Sequence, residues 1–244
     1  CYSQKIFPVI SYRTPESLVA EMEHIVNCGI SEVYFHDLTF CYNKKHFLQF
    51  CNLIKERGVK LRWFCSSFFD FMSPEIITAM AEAGCKCIEF GLESGNYEVR
   101  KLYGKDHPDE VVKNIVNMCK KNGIRVSVFV ILGFPEETLD DMKKSIQFVK
   151  NIGIDYLSLN VAWAESSTDF TDNLKFDLND TSKQDSMQKT NFDHPYVSAE
   201  ELENFKRKSQ RNFYLNPRFI IKQLAGIRSI KKVKDISSIF NELI

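Results

Sequence analysis

The sequence predicts an α/β fold, a parallel sheet with helices packed against it. Three observations carry this. Short β-rich runs alternate with stretches of helical periodicity at intervals of roughly 25–35 residues, the span of a βα unit. The runs are apolar on both faces, as strands buried under helices must be. Polar and turn-forming residues gather at their carboxyl ends, where parallel α/β folds bind ligands.

In chain order, residues 2–13 read as irregular. A helix begins at Thr14, with Pro15 in its first position and Leu18, Met22 and Ile25 at helical spacing, and Gly29 ends it. Val33, Tyr34 and Phe35 form a strand closed by His36 and Asp37. Residues 44–57 return to helical periodicity through Phe47, Phe50, Cys51 and Ile54, stopped by Gly58. Leu61 to Phe64 is a strand. Ser73 caps the next helix, with Pro74 in its first position, and the helix runs to Gly84. The strand over 87–92 meets the turn Ser94-Gly95-Asn96. A helix follows from about Pro108 to Lys121, then a strongly apolar strand from Val126 to Leu132, broken by Gly133-Phe134-Pro135. Thr138 and Asp141 form a capping-box pattern for a helix ending near Gly153, and Tyr156 to Val161 is the last clear strand. Residues 165–193 are a polar loop, and Ser198 with Glu201 caps a helix to about Tyr214 that halts at Asn216-Pro217. Two short helices are expected over 218–225 and 235–243. Residues 1–165 are therefore expected as the core domain, and 166–244 as a polar loop plus helical extension.

Composition narrows the function. The chain has 244 residues, 44% of them hydrophobic, enough to bury a sizeable core. A formal net charge of zero argues against nucleic-acid binding by bulk charge. No apolar run has membrane-spanning length, and no signal peptide is seen. The eight cysteines are scattered through predicted helices and strands, as in a protein of the reducing cytoplasm.

Asp37, Ser66, Ser67, Glu93, Ser94, Gly133 through Glu137 and Asn160 all fall at or near strand carboxyl ends. Singly, each is explained as a turn former or a solvated group. Together they favour a ligand site, since side chains at these ends converge on one mouth if the sheet curls into a barrel. Glu93 with Asp37 as an acid–base pair in an ordinary barrel enzyme and a non-catalytic remnant are the competing readings.

Three stretches resemble the radical S-adenosylmethionine (SAM) superfamily. Arg13 to Glu21 followed by Gly29 to Asp37 is similar to the segment after the family's cluster loop. Phe90-Gly91-Leu92-Glu93-Ser94-Gly95-Asn96, with Lys105 downstream, is similar to its fourth-strand motif. Ile131 to Thr138 is similar to its fifth-strand motif. The resemblance implies a six-stranded partial (β/α) TIM-like barrel and a 4Fe-4S cluster in a C-x3-C-x2-C loop. It also implies SAM cleaved to start radical chemistry on a small-molecule substrate, with electrons from a donor such as flavodoxin or ferredoxin. It assigns cofactor contacts to Asp37, Ser66, Glu93, Ser94, Lys105, Leu132 and Gly133.

The sequence departs from the family in one respect: no C-x3-C-x2-C is present. Cys1 falls where the third cysteine of that loop would stand, so Cys1 is the expected metal ligand. The first strand and two cysteines are then expected upstream, and the chain alone is expected to be inactive. Residues 211–220 are similar to the tail of members that carry an amino-terminal cobalamin-binding domain, which include methyltransferases and ring-modifying enzymes. Cobalamin is expected only through such a domain. A plain amphipathic helix with a proline stop accounts equally for these residues.

Overall fold

The computed structural model describes residues 9–37, 39–164, 190–217 and 219–221. Cys1, most of the polar loop and nearly all of the two short terminal helices lie outside the described residues.

Five strands form one sheet in the order β1-β2-β3-β4-β5, with every neighbouring pair parallel. They are β1 (Glu32–Phe35), β2 (Arg62–Ser67), β3 (Cys85–Glu93), β4 (Arg125–Leu132) and β5 (Tyr156–Val161). The helices are α1 (Pro15–Asn27), α2 (Lys44–Glu56), α3 (Pro74–Glu82), α4 (Tyr97–Leu102), α5 (Asp109–Lys121), α6 (Leu139–Ile152) and α7 (Ala199–Tyr214). A 3₁₀ turn, Phe69–Phe71, follows β2. Helix starts fall where the caps predict them. Thr14, Ser73, Thr138 and Ser198 each accept a backbone N–H of the first turn, and both capping boxes form.

One helix was not legible. Helix α4 has six residues and buries only Val99 and Arg100, too little for a periodic signal. It is held by the Arg100 guanidinium, fully buried, which donates to the Ser94 and Asp109 sides of the turn and to the His107 carbonyl.

The core lies between the sheet's outer face and the helices. Phe47 and Phe50 of α2, Ile76 and Met80 of α3, Ile88, Phe90 and Leu92 of β3, and Val126, Val128 and Val130 of β4 are all buried in one cluster. Trp63 is fully buried, with its indole N–H donating to the Ala83 carbonyl at 2.7 Å. Helix α7 packs on β5, and its Leu202 and Phe213 join the same core. The Tyr214 hydroxyl donates to the Leu157 carbonyl (2.8 Å) and accepts the Leu157 N–H (3.0 Å), so a side chain pairs with the outer edge of β5.

The cysteines are mostly core residues. Cys51, Cys65 and Cys119 are fully buried, but Cys28 is exposed because it lies just past the end of α1. Among the described residues no helix is long and apolar enough to cross a membrane.

Candidate active site at the carboxyl ends of the strands

The opposite, concave face carries the polar residues. On β3 the alternation places Glu89, Gly91 and Glu93 partly exposed, while Ile88, Phe90 and Leu92 face the core. The β3–β4 register shifts between Gly91 and Glu93, a bulge at the strand's end. Glu93 itself takes φ +66°, the only positive φ among the described non-glycine residues. This left-handed turn folds its carboxylate back over Gly91, where an added Cβ would come within 2.6 Å of Glu93 Oε1. Left-handed backbone costs a non-glycine residue roughly 1–2 kcal/mol, and such strain gathers at functional sites.

Lys105 meets that carboxylate at 3.4 Å, with side-chain exposures of 15% for Lys105 and 21% for Glu93. The Lys105 ammonium also sits 3.7 Å from the Phe68 ring centroid. Burial pushes the Glu93 carboxyl up and the Lys105 ammonium down, and the attraction between the two opposes both shifts. The result is a half-dry ion pair at the ligand end of the sheet.

Ser94 faces the other way. It is fully buried, and its hydroxyl donates to Glu137 Oε1 at 2.7 Å. The other Glu137 oxygen accepts the Gly133 and Phe134 N–H groups at 3.2 and 3.3 Å. Ser145 of α6 lies 3.1 Å from the Ser94 hydroxyl and accepts the Gly95 N–H. Glu137 thus ties the end of β3 to the end of β4. Burial lifts its carboxyl to about 7, against the three donors that favour the charged form.

Gly133 takes φ +82°, and a Cβ there would meet Leu202 of α7 at 2.6 Å. Its bare Cα accommodates a helix in this structure, where the family resemblance assigned it a cofactor contact. Leu132 is buried in the core, offering only backbone. Phe134 stacks on Tyr103 with centroids 4.0 Å apart, and its carbonyl bonds His194 at 2.9 Å. Ser66 bonds the Tyr34 hydroxyl at 2.7 Å on the concave face. Asp37 stands exposed just beyond β1, beside the exposed His36.

The geometry therefore unites Glu93 with Lys105, and Ser94 with Gly133 through Glu137, but not Asp37 with either group. Glu137 was within the segment noted in the sequence, yet its inward turn was not. Nothing in the sequence pointed to Glu89 or Tyr34. A cleft between α2 and α3, lined by Leu48, Asn52, Lys55 and Glu82, lies on the outer layer away from these residues.

A compact ion pair of this kind suits a zwitterionic amino-acid group, carboxylate to Lys105 and ammonium to Glu93. SAM carries that group, so the site fits it. An iron–sulfur cluster does not fit the described residues. No group of three or more potential metal-ligating His, Cys, Asp or Glu side chains occurs among them. Burial pushes the Cys87 and Cys119 thiols up to about 12, away from the thiolate a cluster needs.

A parallel sheet with helices outside and charged residues at its carboxyl ends defines the (β/α)-barrel class of enzyme. Within that class, the Radical SAM superfamily model matches residues 1–149, and the chain belongs to this superfamily of enzymes. An uncharacterised methyltransferase of Pyrococcus horikoshii is 29% identical over 203 residues, 80% of this chain and 43% of that protein. The hopanoid C-2 methylase of Rhodopseudomonas palustris is 30% identical over 170 residues, 67% of this chain and 32% of that protein. The chain thus spans less than half the length of either relative. Two solved structures share the fold. The radical SAM methyltransferase TsrM of Kitasatospora setae, with cobalamin and a 4Fe-4S cluster bound, matches with TM-score 0.56 and 20% identity over 61% of this chain and 31% of its own. Coproporphyrinogen III oxidase (HemN) of Escherichia coli, a radical SAM enzyme, matches with TM-score 0.56 and 16% identity over 84% of this chain and 47% of its own.

Proposed function

We propose that this chain is the SAM-binding core of a radical enzyme that transfers a methyl group to a small molecule. The Glu93–Lys105 pair carries the reading. Lys105 holds the methionyl carboxylate and Glu93 the ammonium, each replacing water with a charged partner in a half-buried site. The main chain at Leu132, backed by Phe134, would form the wall for the adenosine end, while Gly133 is covered by Leu202 of α7. Ser66 on β2 and Asp37 just past β1 would contribute from the neighbouring strand ends. Ser94, through Glu137, keeps the two turns in register and acts as a positioning residue. The bound cofactor supplies the radical chemistry and the methyl group.

Of a 4Fe-4S cluster's ligands this chain would supply Cys1, which lies outside the described residues, and no group of three ligating side chains occurs among the described residues. Methyl transfer is favoured by the two relatives named as methyltransferase and methylase. Cobalamin, bound in TsrM, would be supplied here by a domain outside this chain, and electrons by a flavodoxin or ferredoxin. Residues 1–165 would be the catalytic core and 166–244 the extension, whose described helix α7 packs on β5.

Calorimetric titration tests the site. SAM should bind the chain, and Glu93→Gln or Lys105→Ala should weaken it by about tenfold or more, from roughly 2 kcal/mol for removing one half of a buried charge pair. Adenosine, lacking the amino-acid end, should bind parent and variants alike. Equal SAM affinity in all three proteins would overturn the assignment.

A further inference from the structure

The concave face holds a second polar cluster. Tyr34 of β1 donates its hydroxyl proton to Glu89 Oε2 of β3 at 2.7 Å, and the Ser66 hydroxyl of β2 lies 2.7 Å from the same phenol oxygen. The Tyr34 proton is spent on Glu89, so Ser66 must donate to Tyr34. The relay runs Ser66 to Tyr34 to Glu89 across three strands. Burial, aided by the neighbouring carboxylate, pushes the Tyr34 phenol up to about 12, so it remains a donor at neutral pH.

Every proton in this relay is already used. What remains open at its end is acceptor capacity on the Glu89 carboxylate. No Lys, Arg or His among the described residues lies within ion-pair distance of Glu89. Nearby, Lys105 is paired with Glu93, and Arg125 donates to the Tyr156 hydroxyl at 2.5 Å. Interior positions of (β/α) barrels are ordinarily filled by branched apolar side chains. A carboxylate on this face with only neutral partners leaves its charge open to a ligand that brings a matching donor. Strand alternation and register set Phe64 one layer below Glu89 and Phe129 one layer above, on the same face.

We propose that Glu89, positioned by Tyr34 and Ser66, is the substrate anchor of this enzyme and takes a cationic or N–H-donating nitrogen on a flat apolar body. The proposal rests on the functional reading above, with SAM at the strand ends and the substrate deeper on the concave face. An anionic substrate group is excluded at this point, because the cluster has no donor left to offer.

The test uses two probes with one body and opposite charge, phenethylamine and 3-phenylpropionate, read by saturation-transfer NMR on the full chain. Phenethylamine should receive saturation and 3-phenylpropionate should not. Glu89→Gln keeps an acceptor for Tyr34 but loses the charge, and should cut the amine signal several-fold. Tyr34→Phe keeps the charge and should retain most of it. Thermal melts of both variants, matching the parent, show that the fold is intact. An amine signal unchanged in Glu89→Gln, equal saturation of both probes, or none of either, overturns the anchor. SAM titration of the unaltered chain is a separate readout. Loss of SAM binding with amine selectivity retained sinks the cofactor reading alone, and the converse sinks the anchor alone.

Discussion

Glu93 shows what one backbone angle accomplishes. It lies twelve positions before Lys105 in the sequence, and its left-handed φ of +66° turns the carboxylate toward that lysine. The sequence made both residues visible but not their meeting, because a positive φ at a glutamate has no residue-type signature. Ser94 was legible as a strand-end hydroxyl; its inward turn depends on Glu137, forty-three positions later. Glu137 yields a prediction about pH. Its folded carboxyl lies near 7, above its ordinary value of 4.5. The folded state therefore binds the proton more tightly, and this residue's contribution to stability is fully present below about 4.5 and lost as pH rises through 7. The slope in that window approaches about 1.4 kcal/mol per pH unit. Glu93, also raised, acts in the same direction, whereas Asp140, Asp141 and Glu201 are lowered and act in the opposite one. Urea unfolding at pH 5, 6 and 7 should show the parent losing stability relative to Glu137→Gln as pH rises. Parallel curves would refute it.

At the scale of elements, the helix caps and strand runs were readable because each rests on local chemistry, a side-chain oxygen on a first-turn N–H or an unbroken apolar run. The close approach of α6 to the β3 turn was not. A Cβ on Gly95 would lie 2.3 Å from the Ser145 Cα, a backbone atom that cannot swing aside. Gly95→Ala should destabilise the fold by about 1–3 kcal/mol or more, a fall of roughly 2–4 °C in Tm per kcal/mol. An unchanged melt would mean that α6 sits farther from the turn. The aromatic layer between β2 and α2 offers a second check. Phe50 is 1% exposed and packs edge-on to Phe35, Phe40 and Trp63. Phe50→Ala should cost about 3–5 kcal/mol by chemical denaturation.

For the whole molecule, the order of the strands followed from alternation, since each βα unit sets its strand beside the last. The place of α7 did not follow, because the polar stretch before it carries no directional information. The structure lays α7 along β5 and brings Leu202 across the sheet's end onto Gly133, so the helical extension and the barrel share one core. Deleting the Tyr214 hydroxyl tests that docking. Tyr214→Phe leaves the Leu157 N–H and carbonyl without their partner and should cost about 1–3 kcal/mol. Amide hydrogen exchange at Leu157 should accelerate more than at Val128 in the sheet centre; equal rates would show that the phenol contributes nothing.

That phenol also bears on how wide the sheet can grow. Parallel strands add to one another as monomers add to a polymer, through the free valences of the last unit. By occupying both valences of Leu157, Tyr214 acts as a chain stopper. A chain cut ahead of α7 would keep its strands but regain a growing end, and edge-to-edge association of copies would compete with the folded monomer.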